Sequence, residues 1–225
     1  MKKPTFFALL ALLLPATAGN LPAAEAAHDF ARWEKEISAY EAADRANPPQ
    51  KGGLLFTGAS TIRRWTTLAQ DFPRHRVVNR GVGGSEIVDV THFAERIVFP
   101  YAPRMIFFRS GGNDIFHGKS PEEAFADFKT FVETVHAKLP MTDVVFISQN
   151  PTVARASQWE KEKALNALAA AYARAVHHAG YIDVADMVLG PDGQPRLELF
   201  VADKLHFSPA GYKLFAERIR PHLPK

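Results

Sequence analysis

The stretch Leu54-Leu55-Phe56-Thr57-Gly58-Ala59-Ser60-Thr61 decides how the chain is read. Its first four residues form an apolar, β-prone run too short for a helix, and the glycine and small residues that follow are turn formers. Runs of the same kind lie at 76–79, 105–109, 144–148 and 181–184, so five buried strands are expected. Helical stretches are expected between and after them, at 61–69, 87–97, 121–139, 158–179 and 208–219. Ser120-Pro121 and Ser208-Pro209 each pair a helix N-cap with a first-turn proline.

Strands that alternate with helices pair in parallel through right-handed crossovers. The expected class is α/β, a three-layer α/β/α sandwich with about five parallel strands and helices on both faces. In such sheets ligands bind beyond the carboxyl ends of the strands.

That rim carries the chemistry. Gly58-Ala59-Ser60-Thr61 follows the first run, Asn79-Arg80-Gly81-Val82-Gly83-Gly84-Ser85 the second, and Gly111-Gly112-Asn113-Asp114 the third. Asp203-Lys204-Leu205-His206 precedes the last helix. Together these supply a nucleophile (Ser60), a base (His206), an orienting acid (Asp203) and donors for a developing oxyanion (Ser60, Gly84, Asn113). Each residue also has a plainer reading. Ser60 suits a helix N-cap, Asp203 and Asn113 suit turns, and the glycines suit backbone geometry alone. Arg80 and Arg109 would either bind an anionic group or pair with loop carboxylates. Trp65, Phe116, Trp159, Phe200 and Phe207 would either line a pocket or join the core.

The blocks FTGAST, NRGVGGS, SGGND and DKLHFSPAGY resemble those of the SGNH hydrolase superfamily, the GDSL esterases, over about residues 52–222. The resemblance implies a flavodoxin-like fold, no metal or organic cofactor, and hydrolysis of carboxylic esters or thioesters through an acyl-enzyme. The catalytic residues would be Ser60, Asp203 and His206, with an oxyanion hole of Ser60, Gly84 and Asn113. Where the family has Gly-Asp-Ser this chain reads Gly58-Ala59-Ser60, so the acid that supports the loop is replaced. The expected function is a serine esterase. A carbohydrate O-acetylesterase or a lysophospholipase or thioesterase on the same site is the alternative, and a non-catalytic binding module the non-enzyme rival.

Other classes are excluded by pattern. The GVGGS turn lacks the lysine and spacing of a phosphate-binding loop, and GASTI lacks the second glycine of G-x-S-x-G. Neither H-x-x-x-H nor H-E-x-x-H occurs, and the 225 residues contain no cysteine, so thiol nucleophiles and Cys-ligated metals are out.

At the N-terminus, Lys2 and Lys3 precede an apolar run at 6–14 and the small-x-small triplet Ala16-Thr17-Ala18. This reads as a signal peptide over 1–18, with Ala24-Glu25-Ala26 a second cleavage option, and predicts a periplasmic or secreted protein. Its nine apolar residues are too few to span a bilayer. Removing 1–18 takes away two lysines and no acid, leaving 25 basic against 24 acidic residues. No basic cluster suggests nucleic acid or an anionic membrane as partner, so the expected partner is an ester substrate, small-molecule, polysaccharide or lipid. Residues 28–50 read as an amphipathic surface helix and linker, with Phe30, Trp33, Ile37 and Tyr40 at helical spacing.

Overall fold

A computed structural model describes Met1 and residues 28–225. The expected signal peptide and both cleavage options lie outside the described residues.

Five strands, β1 (Leu54–Gly58), β2 (Val77–Gly81), β3 (Met105–Arg109), β4 (Asp143–Ile147) and β5 (Ala179–Ile182), form one parallel sheet in the order β2-β1-β3-β4-β5. This is the flavodoxin-like order, with its switch point between β1 and β3. Because successive side chains point to opposite faces, each strand feeds two cores. Leu55, Ile106, Phe108, Val144 and Phe146 pack on one side. Leu54, Phe56, Phe107, Val145 and Ile147 pack on the other.

The first face is covered by α1 (Glu34–Ala46) and by the helices that follow β2, β3 and β4. After β1 come α2 (Ser60–Arg63) and α3 (Leu68–Asp71), and after β2 come α4 (Ile87–His92) and α5 (Ala94–Ile97). After β3 come α6 (Gly112–Phe116) and α7 (Pro121–Lys138), then α8 (Trp159–Ala175) after β4 and α9 (Pro209–Ile219) near the end. Core residues of α1, α4, α5, α6, α7 and α8 join the first cluster, and those of α2, α3 and α9 the second. Ser120 caps α7 by accepting from the Glu123 N–H at 3.1 Å, and Ser208 caps α9 from the Gly211 N–H.

Four expectations need correction. The helix expected at 61–69 is broken, because the Asn79 amide takes the carbonyls of Ile62 and Trp65 and competes with helical donors there. The helix expected at 87–97 divides at Phe93, which caps α4 and starts α5 while burying its ring. At 158–179 the helix stops at Ala175. His178 adopts φ +57 and turns the chain, so β5 begins at Ala179, two residues before the expected strand. Finally, the amphipathic helix expected from residue 28 opens with a 3₁₀ turn (Phe30–Trp33) before α1, and its apolar side, with Trp33 and Ile37, is buried in the first core.

Candidate active site

The carboxyl ends of β1, β2, β3 and β4 surround a cleft of about 250 Å³. Ser60, Gly84, Asn113 and His206 all line it.

Ser60 is the first residue of α2, and its Oγ lies 2.8 Å from His206 Nε2. His206 comes from a hairpin turn closed by the Phe200–Phe207 bridge and by the Val201 N–H donating to the His206 carbonyl. Its Nδ1 lies 2.7 Å from Asp203 Oδ2, while Asp203 Oδ1 accepts the N–H groups of Leu205 and His206, both at 2.9 Å. Asp203 therefore holds the turn and the imidazole at once. Burial alone would raise its carboxyl, but the hydrogen bonds from the His206 backbone and ring and from Leu205 outweigh it and hold the group at about 2. The acid stays ionised wherever the chain is folded near neutral pH, and it fixes the ring with Nε2 toward Ser60.

On the opposite wall stand the donors. The Ser60 and Gly84 N–H groups have no acceptor among the described residues. Gly84 has φ +75, and a Cβ there would meet the Trp33 ring at 3.3 Å, so the 3₁₀ turn ahead of α1 presses on this loop where only glycine sits without strain. Asn113 is buried. Its amide nitrogen donates to the Ser85 carbonyl at 2.9 Å, leaving one N–H for the cleft, while its Oδ1 accepts from Arg155 Nη1 at 3.1 Å. Beneath it Asp114 is fully buried, accepting from the Ile87 N–H at 3.2 Å and from Lys119 Nζ at 3.0 Å. Burial pushes the Asp114 carboxyl up to about 6, with Lys119 opposing. Asp114 thus ties the second glycine loop to the third.

Neither arginine considered from the sequence is a free anion binder. Arg80 bonds Asp44 and the Tyr101 hydroxyl and lies over the rings of Tyr40 and Tyr101, which clamps α1 onto β2. Arg109 is buried beside the cleft and bonds the Ser148 carbonyl and Asn150 Oδ1, joining the ends of β3 and β4. Among the aromatics, Trp65, Phe200 and Phe207 are buried in the second core and Trp159 is half-buried. Phe116 is exposed and lies under the Arg155 guanidinium.

Glu162, which lines the cleft together with Gln149 and Arg155, is marked by no motif in the sequence. Burial pushes the Glu162 carboxyl up to about 7, against the pull of Arg109 and Arg155. The available signal was an acid on the apolar stripe that continues through Leu165 and Ala169 of α8.

No group of three His, Asp or Glu side chains among the described residues is arranged to hold a metal ion. None of the described helices is long and apolar enough to cross a membrane.

Known structures share this architecture. A candidate platelet activating factor of Streptococcus pneumonia superposes with TM-score 0.76 at 22% identity, covering 87% of this chain and 94% of the other. A GDSL-like lipase from Bacteroides thetaiotaomicron gives 0.67 at 17%, covering 86% and 98%. An acetyl-xylooligosaccharide esterase from Geobacillus stearothermophilus gives 0.62 at 14%, covering 79% and 97%. Among curated proteins none matches the chain. At these identities the likeness speaks for the fold, whereas the GDSL-like lipase/acylhydrolase family model matches residues 46–214, from the end of α1 into α9. With that match spanning most of the chain, this protein belongs to the GDSL-like lipase/acylhydrolase family and is a hydrolase of ester bonds.

Proposed function

We propose that the protein is a serine esterase in which Ser60 is the nucleophile, His206 the general base and then acid, and Asp203 the group that orients it. The observation that carries this reading is the unbroken chain from Ser60 Oγ to His206 Nε2 at 2.8 Å and from His206 Nδ1 to Asp203 at 2.7 Å. Ser60 Oγ attacks the ester carbonyl while Nε2 takes its proton. The resulting oxyanion is held by the Ser60 and Gly84 N–H groups and the Asn113 amide, which stabilise charge that develops only in the transition state. The C–O bond then breaks, and the leaving alkoxide takes the proton back from Nε2. Water, deprotonated by the same nitrogen, attacks the acyl-serine, and the proton returns to Ser60 Oγ.

Short acyl esters fit the cleft better than long-chain lipids, because its walls are rich in arginine, glutamine and asparagine and offer no extended apolar groove. That favours a short-ester or O-acetyl-type substrate over a lysophospholipid. The expected results are a burst of p-nitrophenol from p-nitrophenyl acetate and labelling of Ser60 by a fluorophosphonate. Ligand binding without turnover or labelling overturns the reading in favour of a binding module.

Export belongs to the same proposal, supported by the Lys2-Lys3 pair, the apolar run and Ala16-Thr17-Ala18. Amino-terminal sequencing of protein recovered from the periplasm or medium tests it. A chain still beginning at Met1 overturns it.

A further inference from the structure

The cleft contains a buried acid that the acyl transfer does not use. Glu162 is only 5% exposed, it lines the cleft, and its carboxyl has no hydrogen-bond partner among the described residues. Buried polar groups are as a rule satisfied, so an unengaged carboxyl facing a cleft calls for a partner that arrives with the ligand.

The fold places it there for a simple reason. Leu165, one turn further along α8, packs where a side chain on Gly111 would stand, and this brings Glu162 against the next residue, Gly112. Three polar atoms converge on the position that a Gly112 Cβ would take: Gln149 Oε1 at 3.2 Å, Glu162 Oε1 at 3.4 Å and Arg155 Nη1 at 3.8 Å. Gln149 Nε2 is committed to the Ser110 carbonyl, and Arg155 Nη1 to the Gly112 carbonyl and Asn113. The Gln149 oxygen, the Glu162 carboxyl and the remaining guanidinium N–H groups have no partner among the described residues.

The set discriminates between ligand groups. An ammonium would face Arg155 and the neighbouring Arg109, and a carboxylate would face Glu162 and the Gln149 oxygen. An alkyl chain would leave all of them unpaired, the arrangement that polar sites reject most strongly. A hydroxyl satisfies it, donating to Glu162 or Gln149 and accepting from Arg155.

Resting on the esterase reading of Ser60, we propose that Glu162, Gln149 and Arg155 form a cradle for a hydroxyl of the substrate, so that the preferred substrates are short acyl esters of polyhydroxy alcohols. Glu162 is then a specificity-determining residue, not one that touches the reacting carbonyl.

The test compares glycerol monoacetate with propyl acetate, the same three-carbon alcohol with and without free hydroxyls. The wild-type kcat/KM should favour glycerol monoacetate by about 10-fold or more. Glu162→Ala should erase most of that ratio, chiefly by raising KM for the hydroxylated ester, and Glu162→Gln should keep most of it because an amide still donates and accepts. Equal wild-type rates on the two esters overturn the cradle without calling on any variant, as does a Glu162→Ala protein that loses both activities by the same factor. If Ser60 is labelled by fluorophosphonate and the ratio is flat, only the cradle falls. If neither ester is hydrolysed and no label is taken up, the Ser60 reading falls and the cradle with it.

Discussion

The two sides of the cleft are built in opposite ways. On one side Asp203 and His206 sit on a short turn, with the Asp203 side chain 41% exposed and Arg64, 3.8 Å away, as a charged neighbour from another element. On the other, Asn113, Asp114 and Glu162 are buried, and Asn113 and Asp114 are held by bonds from Arg155, Ile87 and Lys119. The difference matches the roles proposed for each side. A group that passes protons to alcohols and water needs access and a local hydrogen-bond brace. A donor aimed at developing charge is strongest where water is kept out and its dipole cannot turn away. The exposed side should therefore fail in chemistry without failing in folding, whereas the buried side couples the two.

The largest contrast is expected from Ser60→Ala and His206→Ala. Each should lower kcat by about 10⁴-fold or more, and the double variant should be little worse than either, since residues that act as a unit are not additive. Melting temperatures should stay near wild type, because neither change opens a core cavity. Wild-type turnover in Ser60→Ala would sink the assignment.

Asn113 is the sharper probe of the buried side. Its loss to alanine should lower kcat by about 10²–10³-fold with KM less affected, as for one oxyanion donor. Asn113→Asp should be worse, since it puts a negative acceptor where a donor is needed. If Asn113 serves only its turn, the order reverses and the aspartate variant stays active while the alanine variant melts early.

A smaller effect, about 10-fold in kcat on propyl acetate, is expected for Arg155→Ala. That ester has no free hydroxyl, so the measurement reads the positioning of Asn113 through its Oδ1 rather than binding in the cradle. A change in KM alone would assign Arg155 to binding only.

The smallest effect is thermodynamic. In the folded chain the Glu162 carboxyl titrates at about 7, above its ordinary range near 4.3. Between those values the native state keeps a proton that the unfolded chain gives up, so stability falls as pH rises through this window. Glu162→Gln removes that slope. Its melting temperature should match wild type near pH 4.5 and lie above it at pH 8. Equal melting curves at both values would show that the carboxyl carries no such penalty.

What could be read in the sequence is what lies in local patterns, on either side of the cleft. Ser60, Gly84, Asn113, Asp203 and His206 each lie in a short local pattern beside a strand end or a turn, and the parallel sheet follows from apolar runs spaced by helices. Glu162 and Arg155 matter through what α8 and the loop before it bring across from β4, a relation between distant residues that no local pattern contains. The broken helix after Ser60 was hidden for the same reason, since the competitor for its carbonyls, Asn79, lies in the next strand. The shift of β5 turns on one residue, His178, in a left-handed conformation that is uncommon outside glycine.

The clamp between α1 and β2 has a consequence for keeping the protein in solution. β2 is an edge strand, and an open edge is a template on which another chain can pair. Here the Tyr40 hydroxyl donates to the Gly81 carbonyl, and Asp44 draws the Arg80 side chain of the same strand into a pair. Nearly all of α1 precedes residue 46, where the family match begins, so a chain shortened at its N-terminus to that point would keep Ser60, Asp203 and His206 but lose the helix that guards the edge. Light scattering would register the loss as self-association.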